Sequence, residues 1–170
     1  MKRSRALVFL TLPAVLLLWA PRGGAEVVRP APDLAFLGPT GKTRSISSFR
    51  GQPLILLLAD SPKRGSFKTQ LKALEGSFDR LANRGAVVAA AFRKGASEPL
   101  RTNLPLVELP DGPTACSAYA LKGDFSIVLI GPDGNIDYQT AKVLNINRIL
   151  EVMQNSYELQ KASLQGSAGR

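Results

Sequence analysis

The sequence predicts an α/β protein built on a central mixed sheet, and three observations carry that reading. Residues 54–92 read as strand, helix, strand; residues 125–138 read as a strand with its hairpin partner; and an amphipathic helix follows from Ile146. The first is the clearest. Residues 54–58 are an unbroken apolar run behind Gly51-Gln52-Pro53, and so short a run between turn signals suits a strand covered on both faces. Phe67, Leu71, Leu74, Phe78 and Leu81 then step by four and three, which lays one apolar stripe along a helix over 62–83. Asp60 or Ser61 is the expected cap, Pro62 is tolerated in the first turn, and Asn83-Arg84-Gly85 is the stop. Residues 86–92 form the second buried strand. A crossover helix between neighbouring strands makes them parallel.

The remaining elements follow in order. Residues 26–32 are an extended lead-in, because Pro30 and Pro32 oppose a helix. Residues 34–37 and 43–46 pair as an N-terminal hairpin across the turn Gly38-Pro39-Thr40-Gly41. Ser47 to Gly51 is one helical turn closed by glycine. Beyond the β-α-β unit, 93–103 is a polar loop, 104–109 a short apolar stretch carrying Pro105 that suits an edge strand, and 113–119 a short helix bearing Cys116. Residues 125–130 are a strand, Gly131-Pro132-Asp133-Gly134-Asn135 a tight turn, and 136–138 the returning strand. Ile146, Ile149, Leu150, Met153 and Tyr157 keep helical spacing, and 163–170 is a small, polar, frayed tail.

Composition restricts the chemistry. The 170 residues contain no histidine and one cysteine. This excludes His-based triads and metal ligands, an internal disulfide and a CxxC pair. No cofactor or metal motif is present; Asp133-Gly134 lacks the spaced oxygen ligands of a calcium loop. The net charge of +9 belongs partly to residues 1–25, which have the layout of a signal peptide. Lys2, Arg3 and Arg5 precede an apolar run over 6–20, and Gly23-Gly24-Ala25 supplies small residues for cleavage. The run is shorter than the roughly 20 residues that a bilayer span needs; an uncleaved anchor is the alternative. Cleavage after Ala25 removes Lys2, Arg3, Arg5 and Arg22, taking the charge to +5. The expectation is a periplasmic or secreted protein of residues 26–162 plus the tail, off the membrane once the signal is removed.

Three stretches resemble a known family. Asp33-Leu34-Ala35-Phe36-Leu37-Gly38-Pro39-Thr40-Gly41-Lys42 with 45–51 is similar to the F-x-L-x-D-x-x-G-K … L-x-x-F-+-G-K opening of redoxins. Residues 53–59 with the 62–83 helix resemble the central strand and redox helix. Tyr119-Ala120-Leu121-Lys122-Gly123 and 127–136 resemble Y-x-V-x-G … x-x-L-I-D-x-D-G-x-I. The resemblance is to the thioredoxin-like superfamily, of peroxiredoxin or periplasmic redoxin type, and to related secreted thioredoxin-like domains that commonly lack the redox cysteines. It implies a three-layer fold over residues 33–157. It also exposes departures: the loop 58–66 has no sulfur, and Gly123-Asp124-Phe125 has no proline where the family places a cis-proline. No catalytic residue carries over.

The reading that results is an exported thioredoxin-like binding or assembly module without a redox centre, acting on an unknown protein partner outside the cytoplasm. One alternative is a thiol oxidoreductase or peroxidase acting through Cys116, a residue whose sequence neighbours supply no charge or base. The other is an anion or acidic-partner site at Lys63, Arg64 and Lys68, where cations crowd a helix start and the first-turn N–H groups are free. Nucleic acid is not expected, since no aromatics interleave with the basic residues.

Overall fold

The computed structural model describes residues 29–37, 42–95 and 100–167. The expected signal segment and the turn 38–41 lie outside the described residues. The elements are β1 (Arg29–Pro30), β2 (Ala35–Leu37), β3 (Thr43–Ser45), a 3-10 turn (Ile46–Phe49), β4 (Leu54–Ala59), α1 (Gly65–Glu75), α2 (Phe78–Ala82), β5 (Val87–Phe92), β6 (Leu106–Glu108), α3 (Gly112–Ala118), β7 (Phe125–Ile130), β8 (Asn135–Thr140) and α4 (Ile146–Ser167). Helix α4 runs into the stretch expected as a polar tail; residues 168–170 are outside the description.

Six strands form one mixed sheet in the order β1-β8-β7-β4-β5-β6, and β2 with β3 forms a separate hairpin. β4 runs parallel to β5 and antiparallel to β7, so the expected β-α-β unit and C-terminal hairpin meet along the same strand. The lead-in contributes β1, a two-residue edge strand on β8, where Pro30 needs no ladder donor on its outer side. β6 is the opposite edge, parallel to β5.

Every residue of β4 is buried, because its two faces pack into two different cores. Ile55, Leu57 and Ala59 join α1, α2 and α4 on one face; Leu54, Leu56 and Leu58 join α3, Phe36, Ile46 and Phe49 on the other. Each fully buried leucine contributes about 1.5–3 kcal/mol relative to an exposed one. On the first face Phe67 meets Phe92 edge to face at 5.0 Å. On the second, the Tyr119 hydroxyl donates to the Pro32 carbonyl at 2.9 Å and ties the N-terminal segment to α3.

The 62–83 helix departs from expectation in two ways. It begins at Gly65, with Arg64 at the cap position and no side chain capping it, so neither Asp60 nor Ser61 takes the expected role. It also breaks at Gly76-Ser77 into α1 and α2. The break shifts the helical phase, which leaves Phe78 38% exposed while Leu81 stays in the core. Gln70, a polar residue inside the apolar stripe, is fully buried. Its amide accepts from Leu144 N at 2.6 Å and donates to Leu144 O at 3.2 Å, fastening α1 to the segment before α4.

Candidate functional site

The parallel register that pairs Ala59 with Phe92 makes Asp60 and Arg93 the next residues at the same end of the sheet. The backbone continues the ladder: Arg93 N donates to Ala59 O at 2.9 Å and Lys94 N to Asp60 O at 3.0 Å. Across β4, Asp60 N donates to Asp124 O at 3.0 Å, which brings the segment before β7 to the same place. The end of the sheet thus collects the 60–64 loop, the exit of β5 and residues 121–124.

Charged side chains fill this junction. Asp60 Oδ1 lies 3.3 Å from Arg93 Nη1, and Oδ2 lies 3.8 Å from Lys94 Nζ. Oδ1 is closed to solvent and the Arg93 approach is out of hydrogen-bond alignment, so its compensation is coulombic. The same guanidinium donates through Nη2 to the carbonyls of Leu121 (3.2 Å) and Gly123 (3.1 Å). Arg93 therefore clamps the loop ahead of β7 to the ends of β4 and β5. Arg64 donates to Asp124 through Nε at 2.9 Å and also through Nη2. This contact holds the Asp124 carboxyl below its ordinary pKa and raises that of Arg64.

Of the three cations expected to form an anion site, Arg64 is therefore engaged by Asp124, while Lys63 and Lys68 stand exposed beside it. Arg93 and Asp124 were not singled out from the sequence. The available signal was positional: a charged residue immediately after each of two adjacent parallel strands must meet at the sheet end.

Cys116 lies on the α3 side, 2% exposed, with Sγ 3.9 Å from the carbonyl oxygens of both Ala59 and Ala91. Burial raises its pKa; Arg93 lowers it and Asp60 raises it further, so desolvation dominates. The fold thus supplies the charges that the cysteine's sequence neighbours lack, but in opposing signs. Among the described residues no three side chains of the metal-ligating types gather into a metal site, and no helix is long and apolar enough to cross a membrane.

The sheet order, the helices on both faces and the strand-to-helix junction at 60–64 define the thioredoxin-like fold. No family model matches the chain, and no curated protein matches its sequence. Solved structures do. A protein assigned as the thiol:disulfide interchange protein DsbE from Chlorobium tepidum superposes with a TM-score of 0.60 at 16% identity, over 76% of this chain and 96% of its own. Peroxidoxin BcpB from Mycobacterium tuberculosis gives 0.57 at 12% identity, over 75% and 96%. The exposed lipoprotein thioredoxin Etrx1 from Streptococcus pneumoniae gives 0.56 at 17% identity, over 73% and 99%.

Proposed function

We propose that this chain is an exported thioredoxin-like binding or assembly module in which an ion-pair junction occupies the place of a redox centre. The observation that carries the reading is the junction itself: Asp60, Arg93, Arg64 and Asp124 hold the 60–64 loop to the segment before β7, with no sulfur in the loop. An unactivated serine hydroxyl such as Ser61 or Ser66 does not replace a thiolate nucleophile. The one thiol is packed under the sheet end, with its pKa raised by burial. The test is to assay purified protein for insulin reduction and peroxide reduction beside Cys116→Ser. Activity no greater than that control is expected; turnover above it replaces the binding module with a thiol enzyme.

Export rests on the basic start, apolar run and small residues of 1–25. The pneumococcal neighbour, by name an exposed lipoprotein, is consistent with the same address. N-terminal sequencing of the protein recovered outside the cytoplasm is expected to begin at Glu26. Recovery of intact residues 1–25 in the membrane fraction would replace a soluble module with an anchored one.

An acidic partner would meet Lys63 and Lys68 first, since Arg64 is already committed to Asp124. Such exposed contacts weaken with salt. Replacing Lys63, Arg64 and Lys68 with Gln is expected to weaken partner capture at low salt. Equal capture by wild type and variant would make these cations a solvated face only.

A further inference from the structure

A second site lies on the other side of the sheet from α1. Along β7, Ser126 alternates with Phe125 and Ile127, so it shares the α3 face with Val128 and Ile130. Those two residues are apolar core; Ser126 is a hydroxyl at 2% exposure. Among the described residues nothing hydrogen-bonds this hydroxyl, and Ser126 lines an open pocket of about 620 Å³. A hydroxyl that borders an open pocket and makes no hydrogen bond within the described protein can bond to a molecule lodged there.

The surroundings specify what partner. Helix α3 stops at Ala118, and Ala120 takes a left-handed conformation (φ 51°) that turns the chain away. Ala120 and Ala141, both small, are among the described residues that line the pocket. The Gln139 amide is fixed at both ends: Nε2 donates to Tyr119 O at 2.7 Å, and Oε1 accepts from Arg29 Nη2. Arg29 is thereby held at the rim with the rest of its guanidinium fork unspent among the described residues. Lys122 stands on the rim as well, with no described acidic partner. Both cations line the pocket, and among the described residues no carboxylate does.

We propose that this pocket binds a small organic oxyanion, a phosphate ester or a carboxylate, through Arg29 and Lys122, with the Ser126 hydroxyl hydrogen-bonded to the bound molecule. The volume falls in the range of small-molecule sites, roughly 300–1,000 Å³, and most of the lining residues are polar, as an anionic ligand needs. A guanidinium fork suits the paired oxygens of phosphate or carboxylate, and the ammonium adds a point charge. The site gives the binding module a ligand without using the 60–64 loop, so thiol activity or its absence leaves the assignment untouched.

The experiment titrates the full chain with glycerol phosphate and, separately, with succinate, following backbone amide shifts. One or both are expected to bind and to move the amides of Ser126 and Gln139. Binding of only one identifies the anion as phosphate or carboxylate. Arg29→Gln/Lys122→Gln is expected to weaken binding at least about tenfold, whereas Lys63→Gln/Lys68→Gln leaves it unchanged. Ser126→Ala, which only removes the hydroxyl, is expected to weaken it several-fold and decides the matter if the double variant fails to fold. Absence of binding by either probe, binding indifferent to Arg29 and Lys122, or binding lost with Lys63 and Lys68 overturns the proposal.

Discussion

Gly112 opens α3 where that helix presses against the end of β5. A Cβ built there would stand 2.0 Å from the Phe92 carbonyl oxygen, a backbone atom that cannot swing aside. Gly112→Ala is therefore expected to lower stability by about 1–3 kcal/mol through overpacking, read as a lower denaturant midpoint. An unchanged midpoint would mean that α3 can slide without loss. Cys116, one turn further along, is a different matter: its burial and raised pKa keep the thiol protonated at neutral pH. A thiol reagent is expected to label it only as fast as the protein opens, and labelling at the rate of a free cysteine would place the sulfur at the surface. Neither property follows from the local sequence. Ala115-Cys116-Ser117 reads as a plain helical turn, and what buries it is the underside of β4 and β5.

The N-terminal hairpin shows how one carboxylate positions an element. Asp33 accepts from Ser47 N at 2.8 Å and from Ser47 Oγ at 2.9 Å, and these bonds, the backbone one first, lower its pKa. A carboxyl lowered in the folded state stabilises above its unfolded pKa of about 3.9, and that stability is lost as pH falls through the folded value. Protection of the Ser47 amide, its exchange relative to the intrinsic rate at the same pH, is expected to fall on acidification below that unfolded value, and Asp33→Ala should show the lower protection already at neutral pH. If wild type and variant exchange alike at both pH values, the 3-10 turn holds itself. Gln70 does the corresponding work for α1. Gln70→Leu would leave both Leu144 backbone groups without their buried partner, at about 1–3 kcal/mol each. Thermal unfolding of the variant measures it, and an unchanged Tm would mean that water replaces the amide. The period of the helix was legible in Phe67, Leu71 and Leu74. The break at Gly76-Ser77 was not, because Phe78 continues the stripe on paper and leaves it only once the chain has turned.

At the scale of the whole molecule, Arg93 joins three segments distant in sequence: the exit of β4, its own strand and the 121–124 loop. Its side chain is partly exposed, so solvent screens the ion pair and the carbonyl bonds carry much of the effect. Arg93→Gln is expected to cost about 1–2 kcal/mol. A double-mutant cycle with Asp60→Asn isolates the ion pair from the carbonyl bonds. Coupling indistinguishable from zero would show that Arg93 acts through Leu121 and Gly123 alone. In either case the segment before β7 should exchange its amides faster in Arg93→Gln, because this clamp shares with the Asp60–Asp124 backbone bond and Arg64 the work of holding it against β4.

Strand and helix order was written locally. The apolar run 54–58, the stripe from Phe67, the Gly131–Asn135 turn and the absence of sulfur from 58–66 are each complete within a few residues, so periodicity and turn chemistry disclose them. They were enough to determine a mixed α/β sheet of thioredoxin-like order without the expected cysteines. What only the tertiary structure decided are the meetings between segments: Asp60 with Arg93, Arg64 with Asp124, Gln70 with Leu144, and Ser126 with Arg29 and Lys122 around one pocket. Such pairs carry no period along the chain. They arise because a sheet places the ends of distant strands side by side, and a side chain's partner there is set by strand order and register, not by its sequence neighbours.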